Sequence, residues 1–435
     1  MEVIVADFSD AYCHLRTHPV ERPELLCEGV LPGQIILFTR VCFGLQAAPL
    51  LWCRVAALLA RCAQAMVGRR RGRLLLYLDD PLQALRGSWR VRCFILAAVY
   101  SLWTALGIST AWHKVDRREG AWIGVEFKLD VHAGWVEVVI PEKKVLEFLE
   151  ATETLLGRAM TTVRSLQTYT GQTNWVAGVL PHSRWAVAIL YAVITEAEEE
   201  DRKRTSVVNE KRGGRALKQR WNRWKYLAVH TKRVELVLRW FHTFWGGVRG
   251  PLVRRHRLDL RNSAAGLTAV VDACPVGIGG FLADAGGTIH AYFHDEVTAE
   301  DEVVLQTPRS SAGQGVWETL AILVALKLWA GHAAQGKFRL SVRSDSVTAI
   351  SAVIKNCARG RVINALAAEI SLVMEEHALP TPDVTHVAGL DNKIADALSR
   401  LSEGAAWPTA CDGARRRTAP RRDGKLLRLV QYSLH

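Results

Sequence analysis

The nine cysteines of this 435-residue chain fall singly, with no C-x-x-C pair and no Cys/His run at zinc spacing. That excludes a disulfide framework and a zinc-finger scaffold, and makes reduced thiols in an intracellular, unsecreted protein of cytoplasm or nucleus the expectation. A cleavable secretion signal is also lacking, because no basic segment followed by an apolar core opens the chain. Long apolar runs are scarce. The longest uncharged one, Cys93 to Trp112, contains Ser, Thr and Gly and approaches helical periodicity, so it predicts a core helix and no membrane partner. There is no internal repeat.

Length and composition then set the scale. At roughly 100–200 residues per domain, the chain predicts two to four domains. An apolar share of 49% and a charged share of 23% match globular averages, so most of it should fold. The formal net charge of +13 favours polyanionic partners, nucleic acid before membrane. That charge is concentrated. Between Asp201 and Arg261 there are 18 Lys plus Arg against 4 Asp plus Glu, interleaved with Trp221, Trp224, Trp240, Phe241 and Trp245. Such a mixture contacts phosphates while stacking on bases or packing helices. Residues 411–435 add 7 basic against 2 acidic residues, and everything outside the two segments is net acidic.

The local patterns divide the chain. MEVIVAD reads as a buried strand ending in a carboxylate, residues 50 to 67 as a helix, and RLLLYLDDPLQAL as strand, turn, strand with the acidic pair at the turn. A helix from about Arg92 to Leu106 and short strands near Trp122–Leu129 and Gly134–Ile140 follow. Helical periodicity dominates Pro141 to Ala197. From Leu267 a new module begins, with strands in LTAVVDACPVGIGGFLA, GTIHAYFH, FRLSVRSDS and DVTHVAG. Helices are expected in GVWETLAILVALKLWAG, which reads as amphipathic, in ARGRVINALAAEISLVMEEH and in NKIADALSRL. Strands followed by alternating helices and strands predict a mixed sheet with helices packed on it. The Arg-rich end, from about Glu403, is poor in periodicity and predicts disorder.

Two sets of acids stand on these elements. Asp7 ends one strand, and Asp79 and Asp80 occupy the tip of another hairpin. Buried carboxylates need partners, and three at one sheet end would make an oxygen-rich site suited to Mg²⁺. The order ADFSDAY, FGLQAAP, YLDD, LGISTAWHK, WIGVEF resembles the palm motifs of reverse transcriptases, particularly those of retrotransposons, and SLQTYTGQTNWVAGVLP extends the resemblance to about residue 195. By that resemblance Asp7 and Asp79 are the principal metal ligands and Asp80 the less direct third. Tyr12 is the ring facing the nucleotide ribose, Phe43, Gly44 and Pro49 shape the nucleotide and template pocket, Lys114 lies near the triphosphate, and Gly124 forms the primer-grip turn. The first palm motif opens the chain at Met1, so most of the fingers, with their triphosphate-gripping cations, is expected to be absent. Pro81, directly after the acidic pair, departs from the family's apolar residue and removes one N–H from the hairpin.

The second set is Asp272 in TAVVDA, Glu318 in WETLAILVAL, Asp345 in LSVRSDS and Asp396 in ADALSRL. Four carboxylates on strand ends and helix starts would repel one another unless cations neutralise them. VDACPVGIGG, VWETLAI, RSDSVTAI and HVAGLDNKIADALSRL resemble ribonuclease H over about residues 265 to 402, closely so in the last motif.

Together the resemblances imply an α+β chain. A right-hand polymerase palm with partial fingers (1–140) and a helical thumb (141–200) would be followed by a basic connection (201–262), a ribonuclease H-like mixed-sheet domain (263–402) and a basic disordered tail (403–435). They imply RNA-directed DNA polymerase and ribonuclease H activities from a retrotransposon. Two Mg²⁺ or Mn²⁺ ions would serve each site, with an RNA template, a DNA primer, RNA–DNA hybrid and deoxynucleotides as partners. Two other readings stand beside this one. One is a truncated element that retains only the nuclease, and the other is a catalytically silent nucleic-acid-binding remnant. No oligomeric state is implied.

Overall fold

The computed structural model describes residues 1–116, 121–130, 135–212, 227–247, 252–257, 266–334, 339–377 and 382–430. The protein is α+β and divides into two compact units, Met1–Pro141 with Val253–Leu258, and Glu142–Leu252 with Asp259–His435. Much of the expected basic connection, including Trp221 and Trp224, lies outside the described residues.

In the first unit, β1 (Glu2–Val5), β4 (Gly72–Tyr77) and β5 (Asp80–Leu85) form an antiparallel sheet in the order β1-β5-β4. Between β1 and β4 the chain makes an exposed hairpin, β2 (Leu26–Glu28) with β3 (Ile35–Leu37), and a helix, α1 (Ala48–Val67). Pro49 sits in the first turn of α1, where no intrahelical N–H is lost, and Gly68 at φ 68° closes it. By length and composition α1 could cross a membrane. Its Trp52, Ala56, Leu59 and Ala63 stripe is buried in the core of the unit with Ile4, Phe8 and Leu85. The same core takes Val99 and Trp103 from α2 (Trp89–Ala105), which Ser88 caps by accepting the Val91 N–H. A second antiparallel sheet orders β11 (Val253–Arg257), β8 (Trp135–Val139), β7 (Val125–Asp130) and β6 (Ala121–Trp122).

The second unit opens with α3 (Glu142–Leu156), β9 (Met160–Thr162), α4 (Val163–Val179) and α5 (Arg184–Arg212). β10 (Ala228–His230) pairs with β9, and α6 (Glu235–Trp245) brings Phe241, Phe244 and Trp245 into the helical core. There Trp245 lies 5.1 Å from Phe148 of α3, ring centre to ring centre, so these aromatics pack helices. The mixed sheet follows, built from β12 (Gly266–Cys274), β13 (Gly277–Ala283), β14 (Ile289–Glu296), β15 (Arg339–Ser344), β16 (Asp383–His386) and the short β17 (Arg415–Arg416). Its order is β16-β15-β12-β13-β14-β17, antiparallel through β12, β13 and β14 and parallel at β12/β15, β15/β16 and β14/β17. The helices are α7 (Ala299–Val304), α8 (Gln314–Ala334), α9 (Val347–Lys355), α10 (Arg361–Glu376) and α11 (Lys393–Ser399). The Asn364 amide of α10 donates to the Trp185 carbonyl of α5 at 3.2 Å, so the leading helices and the sheet domain share one compact unit.

Two expectations need correction. α8 is not amphipathic, because every residue from Leu320 to Leu326 is fully buried between the sheet and neighbouring helices. Nor is the chain after Glu403 a disordered tail over its described part, 403–430. Leu426, Leu427 and Val430 complete the hydrophobic core, and β17 covers the edge of β14. The Arg422 guanidinium donates to Asp301 at 2.7 Å and to Asp295 at 2.5 Å, while the buried Glu369 carboxylate accepts the Leu429 and Val430 N–H groups. Arginine count misled the sequence reading because two of these arginines, Arg422 and Arg428, neutralise native carboxylates.

Candidate active sites

In the first unit, hairpin β4–β5 turns through Leu78 and Asp79, with Tyr77 opposite Asp80. Leu78 has φ 53°, at a turn position that usually takes glycine. Two indoles hold this strained tip, Trp52 Nε1 donating to the Leu78 carbonyl and Trp122 Nε1 to the Asp80 carbonyl, each at 2.9 Å. Beyond β1, the Ala6 N–H donates to the Pro81 carbonyl at 3.0 Å and the Phe8 N–H to the Asp79 carbonyl at 2.8 Å. Asp7 is thereby pinned beside the acidic tip. Pro81 has no N–H to return, and the β1/β5 ladder ends at Val5 opposite Leu82.

Lys114 forms an ion pair with Asp7, and this pairing raises the lysine pKa. Burial, then the charges of Asp79 and Asp7, push the Asp80 carboxyl up, while Lys114 opposes the shift. Tyr12 stands over the same tip, its hydroxyl pKa raised by burial and then by Asp79 and Cys53. Its ring meets Phe43 edge-to-face at 4.9 Å. Gly44 at φ 95° and Gly124 at φ 79° occupy the left-handed region, which accounts for glycine at both. The structure differs from expectation in two respects. Asp7, Asp79 and Asp80 do not close into one group of converging oxygens, and Lys114 neutralises Asp7 at the place expected to receive a metal.

Among the described residues, the one group of three carboxylates whose oxygens lie within 4.8 Å of one another is Asp272, Glu318 and Asp345. Asp272 lies on β12, in the middle of the sheet, opposite Gly279 of β13. A Cβ on Gly279 would fall 2.5 Å from the Ser399 backbone nitrogen, so glycine is what lets α11 sit down on the sheet. Seated there, Ser399 Oγ donates to Asp272 Oδ2 at 2.7 Å, and Asn392 Nδ2 donates to Asp272 Oδ1 and to the Val271 carbonyl, each at 3.2 Å. On α8, Gln314 Nε2 donates to Glu318 Oε1 at 2.8 Å and to the Ala273 carbonyl at 2.5 Å. Asp345 follows β15, immediately before the α9 cap Ser346.

Burial, together with Asp345 and Asp396, pushes the Asp272 carboxyl up to about 7 against the opposing Ser399 bond. Burial and then Asp272 push Glu318 up to about 8. Glu318 Oε2 and Asp345 Oδ1 are buried without a hydrogen-bond partner. Orphaned buried carboxylate oxygens beside two carboxyls whose pKa values are raised fit a hard divalent cation, and an all-oxygen donor set favours Mg²⁺ or Mn²⁺ over zinc. Asp396 does not join this group; it pairs with Arg400 at 2.7 Å, half-exposed.

Three residues that hold this site were not singled out from the sequence, namely Gln314, Asn392 and Ser399. Their signal was present in the spacing. Gln314 and Glu318 are four apart on α8, and Asn392, Asp396 and Ser399 recur at helical spacing on one face.

No family model matches the chain, and no curated protein does. Among solved structures, it is similar to a foamy viral protease-reverse transcriptase, termed dRH, in complex with double-stranded DNA. That likeness has 14% identity and a TM-score of 0.40, and covers 89% of this chain and 56% of the other. A second foamy viral protease-reverse transcriptase structure with double-stranded DNA gives 14% identity and a TM-score of 0.35, covering 89% of this chain and 68% of the other. The chain thus spans little more than half the length of the first.

Proposed function

We propose that the second unit cleaves the RNA strand of RNA–DNA hybrids in the manner of ribonuclease H. The observation that carries this reading is the Asp272, Glu318 and Asp345 group with its two orphaned buried oxygens. The mixed sheet with α8 and α11 is the scaffold the sequence resemblance calls for. Asp272, Glu318 and Asp345 would hold the metal, with Asp396 close by. Bound there, Mg²⁺ or Mn²⁺ supplies the positive charge that activates water and stabilises charge on the phosphate. The chain's own residues set the geometry. Ser399 and Asn392 fix both Asp272 oxygens, and Gln314 orients Glu318. In the attack the water oxygen would bond to phosphorus, the bridging P–O bond would break, and the departing oxygen would take up, through solvent, the proton the water gives up, leaving a phosphate on one RNA end and a hydroxyl on the other. A labelled hybrid is expected to lose its RNA strand with Mg²⁺ and to stay intact with EDTA. Intact RNA with Mg²⁺, under conditions where a control nuclease cuts, would leave only nucleic-acid binding.

A second activity, RNA-directed nucleotidyl transfer at the first unit, is favoured by the strained Leu78–Asp79 tip with Asp7 pinned beside it and Tyr12 facing Asp79. It would take an RNA template, a DNA primer and deoxynucleotides, as in a retrotransposon enzyme acting in cytoplasm or nucleus. If the chain extends primers, Asp79→Asn is expected to lower extension by at least a hundredfold and to leave hybrid cleavage within twofold. Extension that survives this substitution would place the polymerase site elsewhere. Cleavage without extension in the unsubstituted chain would favour the reading that retains only the nuclease.

A further inference from the structure

The folded C-terminal segment builds a surface that neither site uses. Tyr292 and His294 are two apart on β14 and project from the same face, their rings nearly parallel at 6.4 Å and 5°. Trp407 meets Tyr292 edge-on at 5.2 Å and is 40% exposed. β17 runs parallel to β14 with Arg416 opposite Tyr292, which places this arginine on the same face as the rings. Arg415, Arg416 and Arg421 are exposed and form no ion pair among the described residues. Among the acids on these segments, Asp295 pairs with Arg422, Asp412 accepts the Trp407 indole N–H and Asp423 accepts the Lys425 N–H, while Glu296 lies at the far end. Burial, and then the charge of Arg416, push the His294 imidazole down, so near neutral pH it offers an uncharged ring.

We propose that Tyr292, His294, Trp407 and Arg416 form a binding platform for single-stranded nucleic acid. Trp407 is exposed and the Tyr292 and His294 rings are half-buried at the surface; ring faces so placed stack only on unpaired bases, and a free guanidinium beside them meets the backbone phosphate. Arg415, beside Arg416 on the edge strand β17, adds a second exposed guanidinium at that sheet edge. Asp272, Gly279 and His294 lie in one cross-strand row, so the platform shares the sheet face of the acidic group, at about 10 Å across two strand spacings, with α11 between. A strand passing from that group over α11 would reach the platform.

The test uses the full chain in EDTA, so that cleavage plays no part, with a fluorescent 12-nucleotide single-stranded RNA and a matched duplex read by anisotropy across a salt series. Replacing both Arg415 and Arg416 with Gln is expected to weaken single-strand binding about tenfold and to flatten the log–log salt slope by roughly 1–1.5, about 0.7 for each phosphate no longer neutralised. Trp407→Leu is expected to weaken it about fivefold or more with the slope unchanged, since stacking releases no counterions. Duplex affinity should change less than twofold in each variant. Circular dichroism melting confirms that both fold. Unchanged single-strand affinity in the arginine variant would overturn the platform. Equal loss for single strand, duplex and heparin, with Trp407→Leu silent, would reduce it to a general polyanion patch and overturn the stacking role.

Discussion

A chain ending at Pro420 is expected to lose the folded second unit instead of shedding a loose end. Leu426, Leu427, Leu429 and Val430 are all buried. At roughly 1.5–3 kcal/mol for each buried aliphatic side chain, their removal withdraws about 6–12 kcal/mol, comparable with the whole stability of a typical domain. Polar losses act in the same direction. Asp301, itself buried, loses its Arg422 partner, and the Glu369 carboxylate, already pushed up to about 7 by burial, loses both backbone donors and Arg428. The truncated chain should bind a hydrophobic dye and show no cooperative melt for this unit. The milder Leu427→Ala should fold and cost about 2–5 kcal/mol. A truncated chain melting within about 3 °C of the parent would mean that these side chains are not part of the core.

Glu318→Gln is expected to abolish hybrid cleavage and yet stabilise the metal-free protein. Loss of one carboxylate from the Asp272, Glu318 and Asp345 group should cut the rate by about a thousandfold or more, near 4 kcal/mol of activation free energy at 1.36 kcal/mol per tenfold. Stability moves the other way because Glu318 is raised from 4.5 to about 8. Between those values the folded protein retains a proton that the unfolded chain has released. Stability therefore falls as pH rises from about 4.5 and stops falling above about 8. Glutamine has no proton to retain. In EDTA the variant should match the parent near pH 5 and melt several degrees higher near pH 8, on a scale where about 1 kcal/mol moves the midpoint by about 2–4 °C. Added Mg²⁺ should raise the parent's midpoint more as pH rises and the variant's far less, because cation binding requires the deprotonated group. If parent and variant keep parallel midpoints from pH 5 to pH 8 in EDTA, the buried carboxylate is not strained as described. If Mg²⁺ stabilises both equally, the cation binds elsewhere.

Much of the fold was legible because its signals are local. The apolar run MEVIVAD and the strand, turn, strand pattern of RLLLYLDDPLQAL predict the strands that became β1, β4 and β5, whereas the seat of α11 on Gly279 emerged only in the folded structure. α8 was misread for an equally physical reason. Glu318 and Lys327 interrupt the apolar run and suggest contact with water, yet the first turns into the acidic group and the second pairs with Glu376. The tail was misread because periodicity detects regular elements. Its contribution comes from a few apolar residues and from Arg422, which reaches across more than a hundred positions to Asp295 and Asp301.

By itself the sequence determined which carboxylates exist, which strand or helix carries each, and that basic charge gathers in two stretches, since propensity and alternation act over a few residues. Tertiary structure alone decided their company. Three acids converge, Asp396 pairs with Arg400, Asp7 pairs with Lys114, and the arginine-rich end closes a core. These outcomes depend on contacts between residues far apart in the chain, where burial and charge pairing compete on terms that only the assembled fold sets.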